Sequence, residues 1–83
     1  YNMGKMNDRK QIYRDLNDFR TKYFDAKGKE KERIENSVRQ YAKGIDDEIY
    51  LEMSNGAASG LFKSAFFEND LDRALSILDN IEK

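Results

Sequence analysis

The sequence predicts an all-α fold: a small helical bundle in which a long antiparallel helix hairpin carries two shorter C-terminal helices packed on it. Three observations predict it. Proline is absent and 37% of the residues are charged, with the unbranched Leu, Lys, Arg, Glu, Gln and Met that lose little rotamer freedom in a helix. Valine and threonine occur once each, at Val38 and Thr21, so nothing alternates at the period of two that a strand needs. Apolar residues instead recur three and four apart.

The first helix is expected from about Asp8 to Ala26. Asp8 with Gln11 three residues on has the spacing of a capping box. Ile12, Leu16, Phe19 and Tyr23 make one stripe, read as core. Lys27-Gly28 ends the helix, because glycine accepts backbone conformations closed to other residues.

The second helix starts near Lys29. Ile34, Val38, Tyr41, Ala42, Ile45, Ile49 and Met53 fall within one stripe roughly 120° wide. The stripe runs straight through Gly44, which predicts a continuous helix to Ser54 at a cost of about 1 kcal/mol for the glycine. The competing reading stops the helix at Gly44 and restarts it with Asp46 as cap and an Ile45–Tyr50 staple.

Ser54-Asn55-Gly56 is a stop. Gly56 to Gly60 are small residues, read as a loop and the start of a short helix, Ala57 to Phe67. Asn69 or Asp70 then caps a last helix running to about Ile81. Its face is Leu71, Ala74, Leu75, Leu78 and Ile81, with Asp70 and Asp72 placed to complement the helix dipole. Residues 1–6 read as a disordered or expression-derived lead-in with no fold role, Met3 and Met6 both being available as natural starts. Residues 7–83 read as one helical domain.

The chain's 83 residues suffice for one domain, and a domain this small buries only about 60% of its unfolded surface. Small domains draw extra support from disulfides, a metal or a partner. Cysteine and histidine are both absent, which removes disulfides and the usual zinc ligands. A partner is left, and it can be a second copy of the chain. No apolar run approaches the ~20 residues that span a bilayer, and no signal peptide is visible. The expected protein is soluble, has no membrane role, and is cytoplasmic or associated with a phage or mobile element.

The same absences remove the common proton shuttles and activated nucleophiles. The best carboxylate group is Asp46-Asp47-Glu48 with Glu52, read as a solvated helix face rather than a cation site. Ser59 lacks the G-x-S-x-G context, and the small-residue run lacks phosphate-loop spacing. No catalytic, cofactor-binding or metal-binding residue is therefore assigned.

Charge is unevenly laid out. Residues 1–43 hold 12 Lys/Arg against 7 Asp/Glu, a net of +5, and residues 44–83 hold 3 against 9, a net of −6. Such asymmetry marks charged-partner surfaces. It has three readings: attraction between the halves within the fold, pairing between copies, and phosphate contact. Phosphate contact would use Arg9, Lys10, Arg14, Arg20, Lys27, Lys29, Lys31 and Arg33. Interspersed acids and a pI of about 5.4 stand against a dedicated nucleic-acid binder. A helix-turn-helix over Ala42–Phe67 would offer one base-reading side chain of note, Lys63, too little for sequence readout.

Phe24, Tyr50, Phe66 and Phe67 fall at or beyond the edges of the stripes. Aromatic rings are enriched at interface centres, so these four are the candidate interaction residues, with plugging of the bundle end as the alternative for the two phenylalanines. The functional expectation is a small non-enzymatic helical interaction module that binds a protein partner and self-associates, of accessory, structural or inhibitor type. The alternative is a nucleic-acid-associated regulator using the basic N-terminal hairpin.

Overall fold

The computed structural model describes residues 5–55, 61–63 and 67–82, with side chains in the last helix described as far as Asp79. Four helices make up this part of the chain: α1 (Arg9–Asp25), α2 (Lys29–Ala42), α3 (Asp47–Met53) and α4 (Phe67–Glu82). The fold is all-α, as the composition and periodicity predict. α1 packs against α2 and α4, and α3 packs against α4.

α1 begins where its cap predicts. The Asp8 carboxylate accepts from the backbone N–H of Lys10 (3.1 Å) and of Gln11 (3.4 Å). Gln11 does not close the box; its amide donates forward to Asp15 at 2.8 Å. Ile12, Leu16 and Tyr23 are buried, and Phe19 packs against the core from its edge, its ring 5.7 Å from that of Tyr41. The helix ends at Ala26. Gly28 then takes φ 60, ψ −125 and serves as the N-cap of α2, a conformation that only glycine enters without strain.

The second helix is not continuous. α2 stops at Ala42 and α3 starts at Asp47, so the reading that restarts the chain at Asp46 is the one realised. The last turn tightens, with Lys43, Gly44 and Ile45 each donating to the carbonyl three residues back, the i→i+3 pattern of a 3₁₀ turn. The cause of the break comes from the other end of the chain. Met6 N–H donates to the Gly44 carbonyl at 2.7 Å, and Asp46 N–H donates to the Met6 carbonyl at 2.8 Å. Met6 and Ile45 thus form an isolated parallel bridge, which takes groups that a continuous helix would use internally. Asp46 caps α3 through Glu48 N–H, 3.1 Å away. The expectation that Met6 has no fold role is corrected by the same bonds; residues 1–4 lie outside the described residues.

The described residues within the expected Ala57–Phe67 helix also depart from expectation. Leu61, Phe62 and Lys63 form a turn, not helix, while residues 56–60 and 64–66 lie outside the described residues. Phe67 belongs to α4, so Asn69 and Asp70 sit inside that helix and neither is its cap. Register explains this. Phe67 lies four residues before Leu71 and seven before Ala74, on the stripe that Leu71, Ala74, Leu75 and Leu78 bury. Of the expected face, the Ile81 side chain lies outside the described residues.

Phe62 anchors this turn. Its ring is fully buried and its backbone has φ 62, which costs an L-residue roughly 1–2 kcal/mol. Two side chains hold it there. The Asp70 carboxylate, itself buried, accepts from Phe62 N–H at 3.3 Å. Arg39 Nε donates to the Phe62 carbonyl at 2.6 Å. The core is completed by the Phe67 ring, 5.1 Å from Tyr23 and 5.6 Å from Phe62.

Candidate interaction cleft

A cleft of about 250 Å³ opens where the end of α2, the start of α3 and the Leu61–Lys63 turn meet. Its apolar surface comes from Ala42, Ile45, Leu61 and Tyr50. Lys5, Arg39, Lys43 and Lys63 also line it, against a single carboxylate among the described residues, Asp47. Ile45, which pairs with Met6 in the isolated bridge, lines the recess, and Lys43, the residue after the end of α2, stands beside it.

The cations are not equivalent. Lys5 Nζ pairs with Asp47 at 2.6 Å. Arg39 is committed: besides the Phe62 carbonyl it reaches Asn36 at 3.1 Å and Glu35 at 3.5 Å, and its guanidinium lies 5.6 Å from the Phe67 ring centre. Lys43 and Lys63 are exposed and have no ion-pair partner among the described residues. An apolar pocket with two uncommitted ammonium groups beside it suits an apolar side chain flanked by carboxylates.

The four candidate interaction residues separate. Tyr50 is half-buried and lines the cleft. Phe24 is 68% exposed, its ring 5.5 Å from the Arg20 guanidinium, and stands near the α1–α2 turn. Phe66 lies outside the described residues. Phe67 is only 4% exposed and belongs to the core, which corrects its assignment to a contact surface. Leu51, 73% exposed on α3, was not singled out by sequence reasoning, since the stripe of a continuous helix passes on either side of it.

The eight basic residues proposed for phosphate contact also separate. Arg9 pairs with Glu52 at 3.0 Å, Arg20 pairs with Asp72, and Lys31 lies 5.1 Å from the Tyr23 ring centre. Arg33 is exposed, 4.0 Å from Glu30. Lys10, Arg14, Lys27 and Lys29 are exposed. Lys10 and Lys27 stand near opposite ends of α1, about 25 Å apart at the rise of a helix, so they make no common patch. Lys5–Asp47, Arg9–Glu52 and Arg20–Asp72 each join the basic half of the chain to the acidic half. Attraction within the fold therefore accounts for part of the charge asymmetry, at about 0–1 kcal/mol for each exposed pair.

The acidic group is dispersed in the same way: Asp46 caps α3, Asp47 pairs with Lys5 and Glu52 with Arg9. Among the described residues no cluster of three carboxylates could hold a metal ion, and no helix is long and apolar enough to cross a membrane.

Two phenols tie the hairpin together. Tyr23 OH donates to Glu35 at 2.9 Å, and Tyr41 OH donates to Asp15. Burial, then the hydrogen bond to Glu35 and the charges of Glu35 and Glu68, push the Tyr23 phenol up to about 12, with Arg39 opposing. Burial, then the bond to and charge of Asp15, raise Tyr41 as well.

No protein-family model, curated protein or solved structure matches the chain.

Proposed function

We propose that this chain is a small non-enzymatic helical interaction module that docks a protein partner in the cleft between α2, α3 and the Leu61–Lys63 turn. The observation that carries the reading is the pairing of an apolar surface (Ala42, Ile45, Leu61 and Tyr50) with the uncommitted cations Lys43 and Lys63. The complementary partner is a peptide segment that presents an apolar side chain between acidic ones. Burial of that side chain supplies affinity, and the lysines supply orientation and encounter rate. The nucleic-acid alternative is weaker, because Arg9 and Arg20 are paired within the fold and the exposed cations of α1 are spread along its length.

The test is a titration of isotope-labelled protein followed by amide chemical shifts. The titrants are a short peptide carrying leucine between aspartates and glutamates, the same peptide with leucine replaced by serine, and random DNA duplex. The leucine peptide is expected to move the resonances of Lys43, Ile45, Tyr50, Leu61 and Lys63, and the serine peptide to move them far less. No saturable shift at low salt with the leucine peptide would overturn the reading. Saturable duplex binding that weakens steeply with salt would transfer the function to the nucleic-acid alternative.

A further inference from the structure

Among the described residues, the exposed large apolar residue of α3 is Leu51, and its place on that helix suggests what occupies the cleft. At about 100° per residue, Asp47 and Tyr50 share the side of α3 that lines the cleft, while Ile49 and Met53 point into the core. Leu51 falls about 40° beyond Asp47 on the side away from Tyr50, and Glu48 about 60° beyond Leu51. Leu51 therefore stands on a ridge bordering the cleft, between two carboxylates. Asp47 is held by Lys5. Glu48 is exposed and has no ion-pair partner among the described residues.

We infer that the occupant of the cleft is the α3 ridge of a second copy of this chain. The ridge has the chemistry the cleft selects: an apolar side chain beside an uncommitted carboxylate, facing an apolar recess beside two uncommitted ammonium groups. Because ridge and cleft adjoin on one surface, a two-fold axis between them lets each copy give its Leu51 to the other. Such an isologous contact closes at two subunits and leaves no free end to propagate. Glu48 of each copy then meets Lys43 or Lys63 of the other. The inference rests on the docking reading above and names its partner.

The patch is small, so the dimer is expected to be weak and concentration-dependent. Contacts burying less than roughly 1,200 Å² in total belong to transient complexes. Sedimentation velocity on the full chain between about 10 μM and about 1 mM covers the corresponding range of affinity. The expected result is a monomer at the low end and a dimer at the high end. Leu51→Glu should abolish the shift while leaving the circular dichroism spectrum unchanged, since the side chain is already exposed. Lys43→Glu together with Lys63→Glu should weaken association about tenfold or more, and adding Glu48→Lys to that chain should restore it. A wild-type monomer throughout, or an undiminished dimer in Leu51→Glu, overturns the inference. If the chain stays monomeric but the leucine peptide still moves the cleft resonances, only the identity of the occupant falls. If neither occurs, both readings fall.

Discussion

The chain leaves α1 and α2 through the same dipeptide, Lys27-Gly28 and Lys43-Gly44, and the two exits are built differently. At the first, Gly28 takes a positive φ of 60, and nothing lies within 4 Å of where a Cβ would stand. Local backbone conformation alone demands the glycine. Gly44 is not among the positive-φ residues. Its carbonyl is taken by Met6, whose own carbonyl takes Asp46 N–H. The first exit is written in its own residues, whereas the second is imposed by a segment from the far end of the chain. A lysine-glycine pair therefore does not by itself say whether a helix ends there, nor what ends it.

The largest expected effect separates the two exits by pH. The helices joined at the first are tied across by Tyr23–Glu35 and Tyr41–Asp15; no such phenol bond spans the second among the described residues. An unfolded phenol ionises near pH 10, and the folded Tyr23 holds its proton to about 12. A group with a raised folded pKa contributes stability that is complete below its unfolded value and is lost as pH climbs toward the folded one. Urea stability should thus be level up to about pH 10 and fall steadily toward pH 12, followed by circular dichroism. Replacing both tyrosines with phenylalanine should flatten the fall. An equally steep fall in that double variant would mean that the phenols do not link the hairpin to pH.

Removing residues 1–6 tests the second exit directly. The change deletes both Met6 backbone bonds, the Lys5–Asp47 pair and the Met6 side chain packed against the core. At about 1 kcal/mol for each backbone bond, up to 1 for the exposed pair and about 1 for the partial burial, the loss should be about 3–4 kcal/mol in urea unfolding. The Gly44–Asp46 amides should lose hydrogen-exchange protection, while those of residues 26–28 keep theirs. A loss below about 0.5 kcal/mol, the ordinary range for surface changes, would mean that Met6 follows the break instead of causing it.

What was legible in the sequence divides along the same line. Ile12, Leu16 and Tyr23 disclosed the buried side of α1, and Asp8 its start, because helical period and capping are local. Asp46 was legible as a cap, yet the apolar stripe from Ile34 to Met53 outweighed it, since α2 and α3 bury residues of one register on both sides of the break. Phe67 and Asp70 were misplaced for a related reason. The small residues before them suggested a separate helix, which pushed the start of α4 one turn too late and put a core ring on the surface. The cleft was not legible, because Lys43 and Lys63 lie on opposite sides of α3 in the sequence and meet only through the Met6 bridge and the Phe62 turn. Neither of those leaves a local pattern.

The smallest effects sharpen the contrast most, because they come from one substitution made at both exits. Gly28→Ala forces a Cβ into a backbone conformation that L-residues rarely adopt, and should cost about 1–3 kcal/mol although the space around it is open. At Gly44 a Cβ would meet the Tyr41 carbonyl at 3.5 Å and Met6 Cε at 3.9 Å, ordinary contacts. Alanine there loses no backbone freedom that the native conformation uses and restricts the unfolded chain, so Gly44→Ala should stabilise by about 0.4–1 kcal/mol. Urea unfolding of the two variants reads opposite signs from the same added methyl group. If Gly44→Ala were instead the more destabilising of the two, the second exit would also depend on its glycine, and the long-range bridge would be a consequence of the local turn.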